Sequence, residues 1–176
     1  DGRVVSGSWD ETLRVWNPDT DECLQVLRGH DGEINSVVAL ADGRVVSGSW
    51  DQTLRVWNPD TGECLQVFQG HEHRVNCVVA LADGRVVSGS WDHQTLRVWN
   101  PDIGERLQVL QGYDGEVNCV VALADGRVVS GSSDQTLRVW NPDTGECLQV
   151  LQGHECGVWC VVALADGRVV SGSSDQ

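Results

Sequence analysis

Residues 153–160, Gly-His-Glu-Cys-Gly-Val-Trp-Cys, place His154, Cys156 and Cys160 within seven residues, and imidazole with thiolates is the donor set zinc prefers. A His71-x-His73 pair has comparable spacing. Both stretches belong to a segment that the chain writes four times: GHDGEINS (29–36), GHEHRVNC (70–77), GYDGEVNC (112–119) and GHECGVWC (153–160). His154 thus shares a repeat position with His30, His71 and Tyr113, and Cys160 shares one with Ser36, Cys77 and Cys119. Only Cys156 is a cysteine without such an explanation. A closed zinc site needs four ligands, so neither a metal ion nor another cofactor is expected.

The elements that carry these residues follow from the repeat. DGRVVSGS begins at Asp1, Asp42, Asp83, Asp125 and Asp166, giving spacings of 41, 41, 42 and 41 residues, in the range of solenoids and propellers. One period holds four short runs rich in Val, Leu and Thr, at 34–40, 44–49, 53–57 and 64–68, separated by turn chemistry. Asp42-Gly43 reads as a two-residue hairpin turn. Asn-Pro-Asp-Thr-Gly (58–62) supplies a fixed φ at Pro59 and a left-handed position at Gly62, and SWDQT (49–53) is the third tight connection. No helical periodicity survives. The expected fold is all-β, an array of four-stranded antiparallel blades that bury their faces against one another. Complete blades are predicted over 34–68, 75–111 and 117–152, with three strands in 3–27 and two in 158–172.

Composition narrows the partners. The chain has 26 acidic residues against 12 Arg and no Lys, a net charge of −14, which repels phosphate backbones and anionic lipid. Nucleic acid and membrane surfaces are therefore not the expected partners. No apolar run reaches the roughly 18 residues that span a bilayer. The seven Cys are odd in number and locked to the repeat. Cys23, Cys64 and Cys147 share one outer position with Arg106, too far apart across blades to bridge. Reduced thiols, and hence cytosol or nucleus, are expected. The chain opens and closes inside the repeating phrase and has no Met, as expected of a piece of a longer reading frame.

Gly70-His71, then Ser88-Gly-Ser-x-Asp92, then Thr95-Leu-Arg-Val-Trp99 resembles the WD-repeat β-propeller family, and the likeness runs the length of the chain. The resemblance implies a structural His–Ser–Asp–Trp hydrogen-bond set, His30, Ser47, Asp51, Trp57 and His71, Ser88, Asp92, Trp99, with partial sets at Ser130, Asp134, Trp140 and at His154, Ser171, Asp175. Which Ser of each Ser-Gly-Ser takes part is left open by the pattern. Two departures stand out. The terminal Trp-Asp is Trp-Asn throughout (Asn17, Asn58, Asn100, Asn141), a turn adjustment. Tyr113 replaces His in one blade, which should leave Asp134 without an imidazole and weaken that blade. A His–Ser–Asp set also reads as a hydrolase triad, but it recurs in nearly every blade and lacks a Gly-x-Ser-x-Gly elbow. A buried, satisfied network accounts for it, and no catalytic residue is assigned.

The copies differ at few positions. Glu33, Arg74, Glu116 and Gly157 share one, Asn35, Asn76, Asn118 and Trp159 a second, and Trp9, Trp50, Trp91, Ser133 and Ser174 a third. The extra residue His93 is a further difference. The resemblance implies that these three positions lie on one end of the ring and contact partners. Trp and Arg are the side chains most enriched in binding hot spots, so the expected binding face is Trp9, Trp50, Trp91, Glu33, Arg74, Glu116, Asn35, Asn76, Asn118 and Trp159. Two functions fit. One is a non-catalytic scaffold for a protein or peptide. The other is a multivalent lectin-like propeller with a Trp-lined sugar site per blade. Strand counting adds a third expectation, a head-to-tail homodimer closing an eight-bladed ring, in which residues 1–8 or 166–176 are surplus.

Overall fold

The computed structural model describes residues 2–92 and 95–175, so the expected insertion at His93 lies outside the described residues. Sheet one contains β1 (Val4–Gly7), β2 (Thr12–Asn17) and β3 (Glu22–Arg28). Sheet two contains β4 (Ile34–Ala39), β5 (Val45–Ser49), β6 (Leu54–Trp57) and β7 (Cys64–Phe68). Sheet three is β8 (Val75–Ala80), β9 (Val86–Ser90), β10 (Thr95–Asn100) and β11 (Glu105–Gln111), and sheet four is β12 (Val117–Ala122), β13 (Val128–Ser132), β14 (Leu137–Trp140) and β15 (Cys147–Leu151). The fifth holds β16 (Val158–Ala163) and β17 (Val169–Ser173). Every pairing is antiparallel and follows chain order, as in Val45↔Trp57 and Val37↔Ser47. No helix occurs among the described residues. The sheet limits lie within one residue of those the periodicity predicts.

The core lies between sheets. Leu13, Val15 and Leu27 of sheet one pack against Ile34, Val45 and Trp57 of sheet two. The same layer recurs between sheets two and three and between three and four, with Trp99 and Trp140 at the position of Trp57. One blade alone would leave such faces in water, so each layer of burial depends on the neighbouring copy. The central glycine of Ser-Gly-Ser permits the close approach: a Cβ on Gly48 would lie 2.6 Å from Val75 Cγ1 of the next sheet, and one on Gly89 2.7 Å from Val117 Cγ1. Gly7 against Ile34 and Gly131 against Val158 repeat that contact, so the blade-to-blade spacing is constant along the array. On the fifth sheet Val162 and Val170 are each 53% exposed.

One turn differs from expectation. Leu40 N–H donates to Arg44 O, and Gly43 N–H donates back to Leu40 O. The Ala41-Asp42-Gly43 connection is therefore a three-residue loop, not a two-residue hairpin turn. Gly43 takes a φ of 92°, the positive value that a turn closed by a bulge requires. The Asn58 turn is as predicted: its Oδ1 accepts the Asp60 N–H at 2.9 Å, and Gly62 has a φ of 79°.

Candidate functional site

Sheets two and three each carry a hydrogen-bonded relay from the turn aspartate to the core tryptophan. In sheet two, His30 Nδ1–H donates to Asp51 Oδ2 at 2.7 Å, and Ser47 Oγ–H donates to His30 Nε2 at 2.7 Å. Trp57 Nε1–H then donates to Ser47 Oγ at 2.8 Å. A carboxylate only accepts, so Nδ1 carries the proton and Nε2 is free to receive the hydroxyl. Sheet three repeats this with His71, Asp92, Ser88 and Trp99, and the fifth sheet with His154, Asp175 and Ser171. The first Ser of each Ser-Gly-Ser is the participant. The second, such as Ser49, caps the turn by accepting the Asp51 N–H. His154 spends both nitrogens in this way, and no metal-holding group of three or more His, Cys, Asp or Glu occurs among the described residues. All seven thiols are free. Burial pushes the Cys119 thiol up to about 12.

Burial opposes charge on the aspartates, but the accumulated donors prevail. Asp92 drops to about 2 because the His71 bond, the Glu72 N–H and the Arg97 guanidinium outweigh desolvation, and Asp51 falls below the usual carboxylate range because its His30 and Thr53 bonds outweigh burial. Burial pushes His71 below its ordinary value despite Asp92, so the ring is neutral at pH 7. With His71 and Ser88 almost wholly shielded, the hydroxyl has no access to a substrate.

Two features escape the sequence reading. Arg97 Nη2 donates to Asp92 Oδ2 at 3.1 Å, and its Nη1 donates to Gly70 O. Arg55 and Arg138 lie 3.9 Å and 3.6 Å from Asp51 and Asp134. Their shared place in Thr-Leu-Arg-Val-Trp was the available signal. The second feature concerns Tyr113. Asp134 lacks an imidazole, as expected, and the link from carboxylate to tryptophan is broken there, but the phenol takes up the serine end of the relay. Tyr113 O–H donates to Ser130 O at 2.7 Å and lies 2.6 Å from Ser130 Oγ, which also accepts the Trp140 indole N–H.

The variable positions gather on one end of the array. Trp50 N–H donates to Glu33 O, and Ser133 N–H to Glu116 O, which joins the turn before each Asp to the segment after each Gly-His. Trp9 is 79% exposed, Trp159 55% and Trp50 46%, while Trp91 is half-buried. Arg74 explains the difference: its Cζ lies 4.4 Å from the Trp50 ring centroid and 3.1 Å from that of Trp91. The asparagines have structural work as well. Asn35, Asn76 and Asn118 each donate Nδ2–H to a backbone carbonyl of the next innermost strand, at Val75, Val117 and Val158. Asn35 Oδ1 meanwhile accepts the Trp50 indole N–H at 2.9 Å. Gly157 abuts the Ser133 backbone, and Trp159 Nε1–H donates to Ser174 Oγ.

Blades of four antiparallel strands, packed face to face with a His–Ser–Asp–Trp relay in sheets two and three, define a β-propeller of the repeat type. The family model "WD domain, G-beta repeat" (WD40) matches residues 1–17, 21–58, 62–100, 104–141 and 145–176, and the chain belongs to that family. Its members are generally non-catalytic scaffolds. Among solved structures, the WD40 β-propeller domain of Doa1 aligns with a TM-score of 0.89 at 28% identity, over 99% of this chain and 58% of that one. Among curated relatives, WD repeat-containing protein pop1 of Schizosaccharomyces pombe is 59% identical over 34 residues, 19% of this chain and 4% of that protein. The peroxisomal targeting signal 2 receptor of Mus musculus is 49% identical over 35 residues, 20% of this chain and 11% of the receptor. Each of these curated matches is about one repeat long.

Proposed function

We propose that the chain is a non-catalytic scaffold that presents the Trp-bearing end of the array to a protein or peptide. The observation that carries this reading is the exposure of Trp9, Trp50 and Trp159 on that one end, where large aromatics contribute little to the core and much to a contact. Glu33, Arg74, Glu116 and Trp91 complete the face, and the stapled Asn35, Asn76 and Asn118 shape its floor. A relative whose name is that of a receptor for a targeting signal agrees with recognition of a peptide. With its thiols free, the chain fits the cytosol or nucleus. Half-exposed Val162 and Val170 fit association with a second copy, head to tail in an eight-bladed ring.

Parallel peptide and glycan arrays test the reading. A peptide that binds the wild type should lose about 2 kcal/mol or more with Trp50→Ser, and the same with Trp91→Ser, while the melting curve changes little. Capture of glycans alone would favour the lectin-like alternative. Unfolding by both substitutions, with binding intact in the folded remainder, would make these Trp structural.

A further inference from the structure

Within the proposed face, and resting on it, we infer that the gap between Trp9 and Trp50 is a receptor for an arginine side chain of the partner, with Glu33 as its carboxylate. The neighbouring gap shows what two such indoles hold. Arg74, the residue before β8, lies with its guanidinium between Trp50 and Trp91, the two turn tryptophans of successive sheets. Its Cζ lies 4.4 Å and 3.1 Å from the two ring centroids, where a planar cation over electron-rich indoles is held.

The gap between Trp9 and Trp50 is the same place one blade earlier. The Gly7–Ile34 contact repeats the Gly48–Val75 contact, at 2.5 and 2.6 Å for an added Cβ, so sheets one and two stand as sheets two and three do. Trp50 N–H bonds to Glu33 O as Trp91 N–H bonds to Arg74 O, which puts Glu33 where Arg74 stands. The cation is thus replaced by an acid, and Glu33 forms no ion pair among the described residues. Trp50 is pinned by its indole bond to Asn35, with Arg74 against it and 46% of the residue still exposed. Trp9 is open on the other side. Two indoles and an unpaired carboxylate match the guanidinium in charge, plane and hydrogen bonding. The other gaps lack the combination: Glu116 lies between Trp91 and Ser133, and Gly157 between Ser133 and Ser174.

The test is a titration of indole-labelled protein, followed by NMR, with the probe acetyl-Gly-Gly-Arg-Gly-Gly-amide. Trp9 and Trp50 indole signals should move while those of buried Trp57, Trp99 and Trp140 stay fixed, which also monitors folding. The citrulline peptide, equally planar but neutral, should bind at least about tenfold more weakly, and the lysine peptide several times more weakly. Glu33→Arg should fill the gap from within and abolish the shifts, whereas Glu33→Gln should only weaken them. Equal binding of the citrulline peptide, shifts that survive Glu33→Arg, or no movement of Trp9 and Trp50 would overturn the inference. In the last case, an array peptide still dependent on Trp50 would show that the face stands and the arginine slot does not. Array peptides indifferent to Trp50→Ser and Trp91→Ser would instead remove the face itself.

Discussion

Sheets three and four differ by few residues, yet they solve the same burial problem in two ways. In sheet three the relay runs unbroken from Asp92 through His71 and Ser88 to Trp99, with Arg97 closing on the aspartate. In sheet four a phenol occupies the imidazole position, so Tyr113, Ser130 and Trp140 form one bonded group. Asp134 is cut off from that group and accepts the Thr136 N–H, the Thr136 hydroxyl and the Asp114 N–H, with the Arg138 guanidinium 3.6 Å away. The Arg138 guanidinium lies over the Tyr113 ring at 4.6 Å. What the two sheets share is thus a group that reaches the serine hydroxyl beneath the tryptophan. The carboxylate is tied to it only where an imidazole bridges the two.

The largest effect should come from cutting the aspartates. Asp92→Ala strands the His71 Nδ1–H, the Arg97 cation and the Glu72 N–H inside sheet three, and should cost about 3–5 kcal/mol. Asp134→Ala also leaves a guanidinium, that of Arg138 3.6 Å away, without its carboxylate but strands no imidazole, and a smaller loss of about 1–3 kcal/mol is expected. Denaturant melts of the two variants make the comparison. Equal losses would mean that the relay adds nothing beyond the turn.

Acid should separate the sheets next. The folded pKa of Asp92, about 2, lies below the value near 3.9 of an unfolded aspartate. Its contribution is therefore present above about pH 4 and lost as pH falls towards 2, amounting to about 2 kcal/mol. His71 acts in the same direction, since its folded pKa also lies below its unfolded value; the neutral ring favours the fold above about pH 6.5, and the benefit is lost as pH falls through the lowered value. Tyr113 is neutral across this range, because burial pushes its hydroxyl up. Hydrogen exchange between pH 7 and 3 should show protection fading in β8–β10 before β12–β14. Tyr113→His should bring sheet four into line with sheet three, and a variant with unchanged acid behaviour would break the account.

The extent of this that sequence revealed depends on whether a feature repeats. Strands, blade limits and the His–Ser–Asp–Trp sets recur every 41 or 42 residues, and periodicity exposes them. The choice between Ser47 and Ser49 does not recur as a contrast, because both are present in every copy and, two residues apart on β5, both point to one face. Only their places along the strand separate them, Ser47 within reach of His30 and Trp57 and Ser49 beside the turn. Tyr113 was legible as a substitution but not as a repair, since its reach to the Ser130 carbonyl is a matter of geometry. The Arg74 stack was invisible for another reason. It joins positions on different repeats, and an internal alignment compares copies without showing which of them touch. The asparagine column was read as contact surface because variation marked it, although three of its four members bind the next blade through the amide.

The smallest expected effect tests whether the sheet-three relay draws support from its neighbour. Phe68, the last residue of β7, stacks on Trp99 with centroids 5.4 Å apart and planes 6° from parallel. At the equivalent place in the next layer, Leu110 packs in the cluster of Tyr113 and Trp140. Parallel aromatic contact adds modestly to the area that either side chain buries, and Leu is close enough in volume to fill much of the site. Phe68→Leu should therefore cost about 1 kcal/mol in a denaturant melt. Because Trp99 donates to Ser88 and Ser88 to His71, a loosened indole should also reach the relay, moving the His71 ring signals in NMR while those of Tyr113 stay in place. A stability loss without that movement would mean that Trp99 is held by its indole bond alone, and that the stack contributes packing but no order to the network beneath it.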